Sequence, residues 1–318
     1  MTTIRGATRR AALALLALPA AARAQSLPPP GRRPWADQLR EIRVGLLGGE
    51  NEADRLARFG GFQAALEAQF RVPVRIYPAG DYAGVMQAFA ARQLEVSTMG
   101  PLPYARIWLD TQGNIEPLVV ARDADGTVSY VAVMYVRADS PIMSLEQMRG
   151  HSLAWADPNS TSGYLVPRSE LREAGIDVDR FFSRTGFAGG HEQAIVAVLA
   201  GQYDAGVTWA SGVGEQSQGF TRGALRAMVE KGMLDMARLR IIWRSRPIPN
   251  GPTAVRADTP PAFRDDLRAF MLALPTQHPE VFHQIERGAT AGYAPATQSM
   301  FDPVIAMARA EAAARRQR

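Results

Sequence analysis

The period of the apolar positions changes repeatedly along the chain, and each change marks an element. Ile42, Val44 and Leu46 alternate with Arg43 and Gly45 as a strand over 42–47 would; the chain then turns through Gly48-Gly49-Glu50-Asn51, and 53–70 carries helical spacing. A second strand at 74–77 leads through Pro78-Ala79-Gly80-Asp81 into a helix that starts at Tyr82. The order repeats with a strand at 96–99, the break Gly100-Pro101, a helix to Asp110 and a strand at 117–121. Strands at 130–137, 152–155, 205–209 and 239–243 follow, with helical spacing at 164–174, 191–200 and 224–231 and a short element at 179–182. Beyond the turn-rich PIPNGP at 247–252 the pattern predicts helices alone, at 260–274, 279–287 and 297–316.

Strands separated by helices of this length imply an α/β fold with mostly parallel sheets flanked by helices. The late helices have no strands of their own and are expected to pack back on the first half. That gives two lobes, 41–129 plus 247–318 and 130–246, with the chain crossing between them near 129–137 and near 243–249. A cleft between lobes joined twice suits a ligand trap that closes about a hinge.

The amino end stands apart from this pattern. Arg5, Arg9 and Arg10 precede the apolar run 11–22, which ends in Ala22-Arg23-Ala24, so 1–24 reads as a cleavable secretory signal peptide, with the twin-arginine and general routes both open. The Pro-rich 25–40 is expected to be a flexible lead-in. The run is too short to span a bilayer. Of the net charge of +5, four arginines belong to the leader, which has no acid; the remainder carries +1, so nothing asks for nucleic acid. Cysteine is absent, which excludes disulfides, thiolate metal sites and a cysteine nucleophile.

Candidate chemistry gathers at the strand-to-helix junctions, whose loops leave a parallel sheet on one side. Asp157-Pro158-Asn159 is followed by Ser160, Thr161 and Ser162 at a helix start. Free backbone N–H groups, hydroxyl donors and the positive end of a helix dipole together suit a small tetrahedral oxyanion, although such residues before a helix are in most cases only a cap. Gly189-Gly190 places His191 at another helix start, and Tyr82 and Tyr130 offer phenolic donors whose rings exclude water. Ser160 or Ser162 with His191 and Asp157 form a nominal Ser-His-Asp set, but no G-x-S-x-G elbow accompanies it, so no enzyme is expected. His151, His191, His278 and His283 are scattered, and neither a metal nor a cofactor is expected.

Several stretches resemble one family in its own order: GLLGGEN (45–51), DYAGVMQAF (81–89), EVSTMGPLPY (95–104), DSPIMSLEQMRG (139–150), DPNSTSGYLVP (157–167), GGHEQAIVAVLAGQYDAG (189–206) and IIWRSRPIPNGP (241–252). The chain is similar to the periplasmic phosphonate-binding proteins of ABC importers, within the group that also takes phosphite. The resemblance implies a two-lobed type II periplasmic-binding-protein fold, a monomer that delivers a small phosphorus oxyanion to a permease in the inner membrane. By position, Ser160, Thr161 and Ser162 would hold the phosphonate oxygens, and Tyr82, Tyr130 and His191 would complete the shell. Receptors of this family for aminoalkyl phosphonates are expected to hold the ammonium with acids. Here those positions fall at Gly251 and near Ser211, beside Trp209, with Glu215 as a substitute if the loop shifts. A buried ammonium without a carboxylate loses several kcal/mol of compensation, so the resemblance points to an uncharged-tail phosphonate, phosphite or a similar oxyanion, and not to 2-aminoethylphosphonate. A receptor for a sensor kinase, or for a different small solute, would share the fold.

Overall fold

A computed structural model describes residues 27–48 and 51–316; the expected signal peptide, Gly49 and Glu50 lie outside the described residues. The strands are β1 (Ile42–Leu46), β2 (Val74–Pro78), β3 (Val96–Thr98), β4 (Glu116–Asp123), β5 (Ser129–Arg137), β6 (Ser152–Trp155), β7 (Arg184–Phe187), β8 (Ala205–Ala210), β9 (Leu239–Arg244), β10 (Ile248–Pro249), β11 (Pro252–Val255) and β12 (Thr290–Pro295). They form two sheets. One runs β12-β4-β11-β3-β1-β2; the other runs β10-β5-β8-β6-β7, with β9 also on β5. The chain passes between the sheets from β4 to β5 and from β10 to β11.

The two-lobed α/β architecture is the one the alternation implies, but the sheets are mixed. Only β1 with β2 and β3, and β6 with β7 and β8, pair in parallel; β4, β5, β9, β10, β11 and β12 make antiparallel ladders. The antiparallel members are the strands at which the chain crosses between lobes or returns from its carboxyl end. Apolar patterning misses β7, β10, β11 and β12. Pro-Thr-Ala-Val and Thr-Ala-Gly-Tyr-Ala-Pro have few large apolar residues, and neighbouring strands rather than their own composition hold them in the sheet.

The first lobe's core joins β1, β2 and β4 to Phe59, Phe62 and Phe70 of the Glu52–Phe70 helix and to Phe263, Phe270 and Leu274 of the Pro261–Gln277 helix. The late helices therefore do pack back on this lobe. The lead-in is not flexible where it is described: Trp35 sits in a short helix at Pro34–Asp37, is 3% exposed, and meets Phe70 and Phe263 edge-on. Its indole N–H donates to Asp266 Oδ2 at 2.8 Å. An aromatic with this much apolar area and a partner for its polar atom is enough to dock a proline-rich segment. Among the described residues no helix is long and apolar enough to cross a membrane.

Candidate functional site

The chain leaves β6 through Asp157-Pro158-Asn159, where the Asn159 N–H donates to Asp157 Oδ1 at 2.6 Å and the Ser160 N–H to the Asp157 carbonyl at 2.9 Å. This self-bonded turn hands the backbone to a helix start. The first turn, Thr161–Leu165, is wide, since the Leu165 N–H reaches back five residues to the Ser160 carbonyl at 3.1 Å. Widened turns of this type are frequent at functional sites. Ser160 caps the turn by accepting the Gly163 N–H at 2.9 Å. The amides of Thr161 and Ser162 belong to the first turn and lack helical carbonyl partners. A Cβ at Gly163 would lie 2.5 Å from Ala156 Cβ and 2.8 Å from Ser160 Oγ, so the turn seats this close only with glycine.

Thr161 crosses to the other lobe. Its Oγ1 accepts the Leu102 N–H at 2.8 Å and so caps the Pro101–Asp110 helix, whose own cap residue, Gly100, has no side chain to do it. A hydroxyl that accepts in this way keeps its proton for donation. Other bonds hold the lobes together nearby. Arg106 donates to Asn159 Oδ1, Tyr164 to Glu311 Oε1 at 3.1 Å, and Lys231 lies 3.3 Å from Asp54 Oδ2.

Both ring nitrogens of His191 are engaged, Nε2 with Ser160 Oγ at 3.2 Å and Nδ1 with Thr208 Oγ1 at 3.0 Å. Burial lowers its pKa to about 4, so the imidazole is neutral at ordinary pH. Tyr130 on β5 packs edge-on against Trp209 with ring centroids 5.9 Å apart. Burial raises its phenol to about 12, against the opposing pull of hydrogen bonds with Thr161 and Ser162. Tyr82 opens the Tyr82–Ala90 helix behind Asp81, whose carboxylate accepts the Gly84 N–H at 2.8 Å.

Tyr82, Tyr130, Ser160, Thr161, Ser162 and His191 all line one cavity of about 280 Å³ between the lobes. Within it their duties differ. Ser160 and His191 spend their polar atoms on each other, on Gly163 and on Thr208, and so brace the turn. Thr161, Ser162 and Tyr130 form a cluster of hydroxyls. The Ser-His-Asp alignment is not assembled, because His191 Nδ1 faces Thr208 while Asp157 is occupied by Asn159.

Of the expected specificity wall, Trp209 and Gly251 line the cavity and Ser211 does not. Ser211 Oγ is 2.7 Å from Thr221 Oγ1 and also accepts the Arg222 N–H, so it ties a loop together behind the wall. Glu215 is exposed and is likewise off the cavity. At Gly251 a Cβ would stand 2.1 Å from the Met99 carbonyl oxygen, so the missing acid is also a position with no room for any side chain.

The far wall is one that sequence reading misses. Arg222 is buried and makes a two-pronged bond to Asp123, Nε to Oδ1 at 2.9 Å and Nη2 to Oδ2 at 2.7 Å, while its Nη1 is 3.9 Å from Glu286. Glu286 accepts the Tyr293 hydroxyl at 2.6 Å, and burial raises its pKa against the pull of that bond and of Arg222 and Arg58. Arg222 comes from the second lobe and Asp123 and Glu286 from the first. Residues 64 to 163 positions apart carry no shared local pattern, and only the fold joins them. Thr98 and Thr253, 3.1 Å apart through their hydroxyls, also line the cavity from the neighbouring strands β3 and β11.

Residues 44–301 match the family described as ABC transporter, phosphonate, periplasmic substrate-binding protein. The phosphate-import protein PhnD of Mycolicibacterium smegmatis is 28% identical over 236 residues, 71% of this chain and 70% of that protein. The phosphonates-binding periplasmic protein of Escherichia coli is 27% identical over 240 residues, 74% of this chain and 67% of that protein. Among solved structures, PhnD1 of Prochlorococcus marinus in complex with methylphosphonate superposes with a TM-score of 0.70 at 20% identity, covering 85% of this chain and 97% of that one. Matched over most of its length, this chain belongs to the periplasmic substrate-binding proteins of phosphonate ABC transporters.

Proposed function

We propose that the chain is the solute receptor of an ABC importer, binding a phosphonate or a related small phosphorus oxyanion in the interlobe cavity and passing it to an inner-membrane permease. It acts as a periplasmic monomer after loss of 1–24, with lobes at 41–129 plus 247–318 and 130–246. The observation that carries this reading is the hydroxyl cluster of Thr161, Ser162 and Tyr130 at a helix start in the cavity. These donors are neutral, as is His191, and they sit where the helix dipole favours negative charge. Hydrogen bonds to a charged group contribute ~1.5–3 kcal/mol each before the costs of binding, so a few of them support micromolar affinity. Relatives named for phosphonate and phosphate, and a structural neighbour solved with methylphosphonate, add to this support.

Thr161 also gives the ligand a reason to favour closure, because the hydroxyl that would touch it is the one that caps the opposite lobe's helix. A ligand can shift the lobes only by as much as it prefers one arrangement. Against an aminoalkyl tail stand the sealed position of Gly251 and the outward placement of Glu215. The test is a thermal-shift series with methylphosphonate, phosphite, phosphate, sulfate and 2-aminoethylphosphonate, since a ligand of the native state stabilises it by an amount that grows with the logarithm of its concentration over its Kd. A shift with a phosphorus oxyanion and none with sulfate or 2-aminoethylphosphonate is expected. No shift with any phosphorus compound would overturn the reading.

A further inference from the structure

The cavity is larger than its hydroxyl end requires. Its volume is about 280 Å³, whereas methylphosphonate, a phosphorus with three oxygens and one carbon, fills roughly 150 Å³ even at a water's ~30 Å³ per non-hydrogen atom. Away from the hydroxyl cluster, the first lobe's sheet supplies part of the lining. Leu46 on β1, Thr98 on β3, Thr253 on β11 and Val119 on β4 are register partners on successive neighbouring strands, and all of them line the cavity. Ala121, two residues along β4 and so on the same face, and its β12 partner Tyr293 extend this strip.

The polar groups on and around the strip are already spent. The Thr98 and Thr253 hydroxyls bond each other at 3.1 Å, and the Tyr293 hydroxyl donates to Glu286 at 2.6 Å. Charged residues of the lining are engaged as well. Arg222 is held by Asp123 at 2.7 Å, Arg226 by Glu230 at 2.7 Å, and Glu192 by Lys231 at 2.8 Å. Arg55 and Arg58 donate to the carbonyls of Ala79 at 2.8 Å and Ile285 at 3.2 Å, and Arg287 has a partner too. A charged or hydrogen-bonding tail would have to break one of these bonds to gain its own, whereas an apolar tail displaces only water.

Resting on the phosphonate reading, we infer that the strip is a subsite for an apolar tail, so that the ligand is an alkylphosphonate with a chain longer than methyl. Trp209, edge-on to Tyr130 with ring centroids 5.9 Å apart, gives such a tail an apolar wall beside the head. The sequence pointed to an uncharged tail because the acids were missing. The strip adds length and apolarity, and it has no signature in the sequence, since register alone joins residues of β1, β3, β4, β11 and β12.

Calorimetric titration of the mature chain with methylphosphonate, ethylphosphonate, propylphosphonate and 2-hydroxyethylphosphonate tests this. Burial of each added methylene should tighten binding about three- to fourfold, and so about tenfold from methyl to propyl. 2-Hydroxyethylphosphonate, whose hydroxyl would have to break the Thr98–Thr253 bond, should bind more weakly than propylphosphonate. Thr98→Val together with Thr253→Val removes both members of a bonded pair while keeping their shape, so the fold and the gain with chain length should persist. Ala121→Leu fills the strip and should cut the propyl-to-methyl ratio several-fold. Equal affinities along the alkyl series, or a fall from methyl to propyl, overturn the inference while methylphosphonate binding keeps the parent reading intact. Tighter binding of the hydroxyethyl compound than of propylphosphonate, or loss of the chain-length gain in the double Val variant, overturns the apolar character of the subsite. A ratio left at full size in Ala121→Leu overturns its assignment to this strip. Absence of binding by methylphosphonate and the other phosphonates overturns the parent reading and this inference with it.

Discussion

The two sides of the cavity solve the same problem, holding polar groups out of water, in opposite ways. On the hydroxyl side Thr161, Ser162, Tyr130 and a neutral His191 carry no formal charge, and their satisfaction comes from one another and from backbone N–H groups. On the arginine side Arg222, Asp123 and Glu286 are charged or chargeable groups tied across the lobes. A neutral donor cluster has no carboxylate to displace before it meets an oxyanion, while a buried ion pair must give up part of its own compensation. That difference is why the proposed function seats the phosphonate head on the side without cations.

The comparison can be broken at either side, and the largest effect is expected at the charged one. Arg222→Ala leaves Asp123 buried without its partner and should cost about 3–5 kcal/mol of stability, read by urea denaturation; Arg222→Met together with Asp123→Leu should recover much of it. Next is His191. Its folded pKa of about 4 lies below the ordinary value of 6.5, so between those values the unfolded chain binds the proton and the native one does not. Stability is therefore full above about pH 6.5 and falls as the pH drops towards 4, by on the order of 3 kcal/mol from this residue. His191→Gln should flatten the unfolding midpoint across that window.

Smaller effects are expected between the two sides. Gly251→Asp restores the acid of an aminophosphonate receptor on paper, but its Cβ would meet the Met99 carbonyl. Overpacking of this kind costs about 1–3 kcal/mol or more, so a lowered melting temperature without any gain in 2-aminoethylphosphonate binding is expected. The smallest is Thr161→Ala, which removes one ligand donor and one cap of the opposite helix. Affinity for methylphosphonate should fall about tenfold, measured by titration, with the fold kept.

Much of the hydroxyl side was legible because it is local. Ser160, Thr161 and Ser162 are consecutive, follow a turn signal and precede a helix, and His191 stands behind a glycine pair. The strand and helix order was legible for the same reason from β1 at Ile42 to β9 at Leu239, except for the edge strand β7, whose Arg-Thr-Gly-Phe has no apolar alternation. The antiparallel strands β11 and β12 were not, since the sheet and not their residues specifies them. Nor were the duties within the site. That Thr161 caps a helix of the other lobe, that Thr208 orients His191 and that Arg222 finds Asp123 are facts of tertiary contact between segments with no common pattern. Trp35 was misread because prolines around it outweighed one aromatic in composition.

The most direct test of which side receives the oxyanion is a crystal structure of the mature chain grown with methylphosphonate. The account predicts phosphonate oxygens at about 2.6–3.0 Å from the hydroxyls of Thr161, Ser162 and Tyr130, with the methyl group turned towards Trp209 and Arg222 still paired to Asp123. A phosphonate seated instead on Arg222 and Arg226, with the hydroxyl cluster untouched, would contradict it.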